Sequence, residues 1–127
     1  MRMMLLVSVA LVVVASAAAA PPPPQLLGTW TRTVSKTDVV HAHATKVKPG
    51  SVWTLVITEN TSRLRTTAVT RWTGTIVPAN ATLVHVELGT EASLYAWRIA
   101  AHTLILAKKH DPNADRSAVL AGSWQRH

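Results

Sequence analysis

Two stretches of strict two-residue alternation set the limits on what this chain can fold into. Val52 to Thr58 puts Trp53, Leu55 and Ile57 on one side of an extended backbone and Thr54, Val56 and Thr58 on the other. Arg63 to Trp72 does the same, with Leu64, Thr66, Ala68, Thr70 and Trp72 opposed to Arg63, Arg65, Thr67, Val69 and Arg71. A helix would scatter either set around its circumference, so both predict strands with one buried and one wet face. Glu59 to Ser62 supplies the turn between them.

Shorter runs extend the pattern. Leu26 to Val34, Gly74 to Val77, Thr82 to Leu88, Ser93 to Ile99, Thr103 to Lys108 and Gly122 to His127 read as further strands, broken at Pro78-Ala79-Asn80, Gly89 and Ala100 to His102. Tyr95 and Trp97 share one face of their strand. Ser35 with Asp38 three residues on marks a helix start, Val40, Ala44 and Val47 follow at helical spacing, and Pro49-Gly50 stops the segment. A second helical turn is expected over Asp115 to Leu120. Successive hairpins imply antiparallel pairing.

The first twenty residues belong to something else. Met1 and Arg2, an apolar run from Met3 to Ala15, then Ser16 and Ala17 to Ala20 form the order of a secretory signal peptide. Proline just after a cut hinders the peptidase, so cleavage is expected after Ala17, Ala18 or Ala19. The run is short of the roughly 20 residues of a bilayer span, which argues against an uncleaved anchor. Residues 1–20 are therefore expected as signal, 21–25 as a Pro-rich spacer and 26–127 as one folded domain, secreted or held in the periplasm or cell envelope. About 100 residues suit a single core. With no cysteine, the domain has no disulfide, lipid-bearing thiol or thiolate nucleophile and must stand on packing.

An apolar share of 48% against 15% charged residues excludes a disordered chain. Thirteen Lys and Arg against six Asp and Glu give +7; without Arg2, 12 minus 6 leaves +6. That balance suits an acidic partner such as an envelope polymer or lipid headgroups, and it also serves solubility. Nucleic acid is disfavoured, because the cations are scattered and Lys108-Lys109 is the one adjacent pair.

The two ends of the domain echo each other. Gly28-Thr29-Trp30-Thr31-Arg32 and Gly122-Ser123-Trp124-Gln125-Arg126 both read G-x-W-x-R. Pairing the first strand with the last would close a barrel and remove its edges. The expected fold is all-β: a closed or nearly closed antiparallel barrel of about eight strands, with a short helical segment after the first. Gly28, Trp30, Gly122, Trp124 and Arg126 are the residues expected at the closure. On these residues the chain resembles the lipocalin-like, or calycin, barrels, in which an N-terminal G-x-W lies on the first strand and an arginine of the last strand packs over that tryptophan. The helical stretch after the first strand also looks like the cap of fatty-acid-binding proteins, and avidin-like barrels share the GTW opening. The resemblance implies an interior pocket for a small apolar or amphipathic molecule. Trp53, Trp72, Tyr95 and Trp97 would wall that pocket, with Arg65 or Arg98 to hold a ligand carboxylate.

The rival reading is a pocketless barrel whose basic face meets an acidic envelope polymer or a partner protein; a third is a hydrolase of unrecognised type. No catalytic residue, metal or cofactor is expected. His41 and His43 diverge on a helix, and His85, His102, His110 and His127 lie in separate elements. Asp111, Asn113 and Asp115 match the first oxygens of a calcium loop, but Arg116 stands in place of its glycine and Gly122 in place of its glutamate. Glu59, Glu87 and Glu91 show no paired spacing, and neither a G-x-S-x-G elbow nor a phosphate-cradling glycine loop occurs. Asn60 and Asn80 open glycosylation sequons that fall in predicted turns.

Overall fold

The computed structural model describes residues 20–67 and 69–127. The expected signal segment lies outside them except for Ala20, as does Ala68. Eight strands, β1 (Gly28–Thr33), β2 (Val52–Ile57), β3 (Ser62–Thr66), β4 (Val69–Pro78), β5 (Leu83–Leu88), β6 (Ser93–Ala100), β7 (Thr103–His110) and β8 (Gly122–Arg126), form a closed barrel in sequence order. Every neighbour is antiparallel, and β1 meets β8 through Trp30 opposite Arg126 and Thr31 opposite Gln125. Closure leaves no unpaired edge.

Two helices, α1 (Lys36–Ala42) and α2 (Ala114–Leu120), lie at the end of the barrel where β1 stops and β8 begins. We call this the upper end. α1 starts with the capping box read from Ser35 and Asp38. It is shorter than its apolar spacing predicts, because His43 turns left-handed at φ 61° and Asp115 Oδ1 accepts the N–H groups of Thr45 and Lys46 at 2.9 and 3.0 Å. Val47 is consequently buried beyond the helix, and Val39 rather than Val40 packs on the core. The cap of α2 is Asn113, not Asp115: its side chain accepts the Arg116 N–H.

Arg63 to Trp72 is divided between two strands instead of one, and Gly74 to Val77 is not a separate strand but the continuation of β4. Thr66 pairs with Val69 across a tight turn where Thr67 takes φ 47°, which would put the next inward residues on odd numbers. Arg71 then bulges, so Leu64 pairs with Trp72 and the inward parity returns to even numbers. The alternation therefore runs on through a hairpin that it does not reveal.

The barrel axis is filled. Trp30, Leu55, Leu64, Val84, Val86, Leu88, Tyr95, Leu104 and Trp124 are wholly buried and belong to one continuous cluster. Each such aliphatic side chain contributes roughly 1.5–3 kcal/mol to folding. An eight-stranded barrel is just wide enough for its side chains to fill it. The terminal echo is built as a local pseudo-two-fold about the Thr31–Gln125 pair. Trp30 Nε1 donates to Leu26 O at 3.0 Å, and Trp124 Nε1 donates to Leu120 O at 2.9 Å. Arg126 reaches the carbonyl of Leu27, and Arg32 that of Ala121.

Candidate functional site

The expected ligand wall is divided between the two ends. Trp53 and Trp72 stack at the upper end with centroids 5.8 Å apart, and the Arg71 guanidinium lies 4.8 Å from the Trp72 ring. Gly89 leaves room for this stack, since a Cβ there would stand 3.1 Å from Trp72. Trp53 also donates from Nε1 to Ser51 Oγ at 2.9 Å. Trp53 is a core residue, and Trp72 is partly buried against the core.

Tyr95 is engaged elsewhere in that end. Its hydroxyl donates to Asp111 Oδ2 at 2.6 Å, and Asp111 holds Arg116 through Nη2 at 2.6 Å and Nε at 3.2 Å. Both members of that ion pair are fully buried. Arg116 Nη1 also donates to the carbonyls of Leu88 and Glu91, so one guanidinium ties the β5–β6 turn to α2. Burial, then the Asp111 bond, pushes the Tyr95 hydroxyl far above its ordinary pKa. Asp111, Asn113 and Asp115, the calcium-like trio, are committed to Arg116, to the α2 cap and to the loop after α1. Among the described residues no group of three or more His, Cys, Asp or Glu side chains is gathered.

Arg65 and Arg98 alternate with the inward residues Leu64 and Trp97, so both face outward; Arg98 is exposed and Arg65 partly so. Arg32 and Arg126 share the inward parity of Trp30 and Trp124 on the two terminal strands. Arg32 is nearly buried, bridges Asp38 at 3.0 Å and donates to Ala121 O at 2.7 Å. Sequence reasoning did not single it out, although it shares the inward parity of Trp30. Burial opposes ionisation of Asp38, but bonds from Ser35 N–H and Oγ, with the Arg32 charge, hold its carboxyl below the ordinary value.

Trp97 stands apart from the other rings. It lies just past the start of β5, where its N–H meets Thr82 O, and it is partly exposed at the lower mouth. Its indole N–H is buried with no acceptor. Trp97, Leu27, Pro78 and Asn80 line an open cleft of about 490 Å³ whose outer wall is Pro21 to Pro24. The Pro-rich segment thus lies along the barrel's end, with Pro22 buried, and turns into β1 through a 3₁₀ turn at Pro24–Leu26. Glu59 adds a carboxylate to the cleft. The arrangement offers an apolar floor and one acidic group, which suits an uncharged or amphipathic molecule. Comparison with protein families, with curated proteins and with solved structures finds no match for this chain.

Proposed function

We propose that the chain is an exported binding module of lipocalin-like type that takes a small apolar or amphipathic molecule at the lower mouth of its barrel. The observation that carries this reading is Trp97: a partly exposed indole that lines a cleft of about 490 Å³ with mostly apolar walls. The filled axis argues for a mouth site over an interior one, because Trp30 and Trp124 already occupy the centre.

The test is a fluorescence titration of residues 20–127, which carry the whole barrel, with fatty acids, retinoids and neutral lipids. A saturable change at one molecule per chain, abolished in Trp97→Leu and retained in Trp72→Phe, supports the reading. A panel that produces no saturable change in the wild-type protein removes it and leaves the pocketless interaction role.

A further inference from the structure

Three of the six acidic side chains are engaged within the fold, while Glu59, Glu87 and Glu91 are exposed. Asp38 holds Arg32, Asp111 holds Arg116, and Asp115 accepts two backbone N–H groups. Other cations of the upper end have no such partners: Lys36, Lys46, Lys48, Arg65 and Arg71 are exposed or partly so, and among the described residues none of them forms a salt bridge.

The same end carries the exposed large apolar side chains of the described residues: Val40 at 63%, Val52 at 55% and Val69 at 54%. Val40 projects from α1 beside Lys36, where the two share a shallow recess with Thr37 and His41. Val52 and Val69 both adjoin Thr66, which pairs with Val69 and donates from Oγ1 to Val52 O at 3.0 Å. Lys48 precedes this pair on the incoming loop, and Arg65 and Arg71 flank it on β3 and β4. Nothing within the described chain covers the three valines.

Apolar side chains set among cations at one pole of a rigid body match the boundary of an anionic bilayer. There, cations reach headgroup phosphates while short apolar groups enter the acyl edge. An acidic polymer would engage the lysines and arginines and leave the valines in water. Spanning is not implied, because outward strand positions carry Thr54, Arg63, His85, Glu87 and Arg98 and so form no lipid-facing apolar belt. We infer that the upper end is a peripheral docking surface for anionic phospholipid, with Val40, Val52 and Val69 at the acyl boundary and Lys46, Lys48 and Arg71 on the phosphates. This leaves the lower mouth facing away from the membrane, and it stands whether or not that mouth takes a ligand.

The experiment is co-sedimentation of residues 20–127 with vesicles of phosphatidylcholine alone or mixed with phosphatidylglycerol. Binding is expected to the mixed vesicles alone. The Lys46→Glu, Lys48→Glu double variant should weaken it by at least about fivefold per cation lost. Val52→Ser with Val69→Ser should weaken it at a salt concentration that screens the charges, with far-ultraviolet circular dichroism confirming the fold of each variant. Arg63→Glu, a single charge reversal near the lower end, should leave most of the binding intact. Three results would overturn the inference: no binding to the mixed vesicles, binding indifferent to the valine substitutions, or an equal loss from Arg63→Glu. Indifference to the valines together with tight binding to soluble polyphosphate would assign the surface to an acidic polymer instead.

Discussion

The guanidinium of Arg126 lies 4.1 Å from the centre of the Trp30 ring, across the seam where the last strand meets the first. Arg32, the matching residue of the first strand, packs on Gly122 of the last. Each terminal strand thus sends an arginine to the opening glycine of the other, one near each mouth. The two differ in setting, since Arg126 is exposed while Arg32 is buried and paired with Asp38. The closure therefore has a solvent-facing half and a dry half, and substitutions should weigh more heavily on the dry one.

Gly122→Ala should destabilise the barrel by about 1–3 kcal/mol, and Gly28→Ala by less. Both glycines have positive φ, 147° and 131°. A Cβ on Gly122 would meet Arg32 Nη2 at 2.2 Å, whereas one on Gly28 would meet Arg126 Nη1 at 3.0 Å, where an exposed side chain can swing aside. Urea midpoints for the two variants check the order; equal losses would mean that backbone strain alone decides.

Asp111→Ala should cost about 3–5 kcal/mol, because it strands Arg116 as an unpaired cation among fully buried neighbours. The carbonyls of Leu88 and Glu91 would still accept from Arg116, but they supply no compensating charge. Pairing the change with Arg116→Met should recover a large part of the loss, as measured by denaturant unfolding of the single and double variants.

Six of the eight strands were readable because alternation is a local property, and the G-x-W-x-R echo pointed to the pairing that closes the barrel. The split of Arg63 to Trp72 was not readable, since the Arg71 bulge restores the parity that the hairpin reverses. Burial of Arg32 and Arg116 depends on Asp38, Ala121, Leu88 and Glu91, brought in by the fold rather than by spacing. The tryptophans looked like one set in sequence. Register instead sends Trp53 and Trp72 to the upper end and leaves Trp97 at the lower, and no pattern marked the Pro-rich segment as the cleft's outer wall.

Acid should remove one identifiable contribution. The Asp38 carboxyl is held below its ordinary 3.8, so it favours the folded state above that value and loses the effect as pH falls through its lowered folded value. Wild type should exceed Asp38→Asn in stability at neutral pH, with the gap closing below about pH 4. Thermal midpoints of both proteins across that range test the sign; a gap independent of pH would assign the contact to hydrogen bonding without charge.

Alkali should act through Tyr95, the chain's one tyrosine, which makes its ionisation separately visible. The hydroxyl is buried and donates to Asp111, so its folded pKa is raised above the ordinary 10.0. A raised value favours folding fully below the unfolded pKa, and the stability it contributes is lost as pH climbs from there towards the folded one. Tyrosinate absorbance should therefore stay absent through pH 10 in the folded protein and appear together with the loss of tryptophan near-ultraviolet dichroism. Tyr95→Phe should remove the absorbance step and leave Asp111 with Arg116 as its remaining side-chain partner. If tyrosinate formed near pH 10 while the dichroism persisted, the hydroxyl would be open to solvent, and the bond to Asp111 could not hold the β7–β8 connection to the barrel.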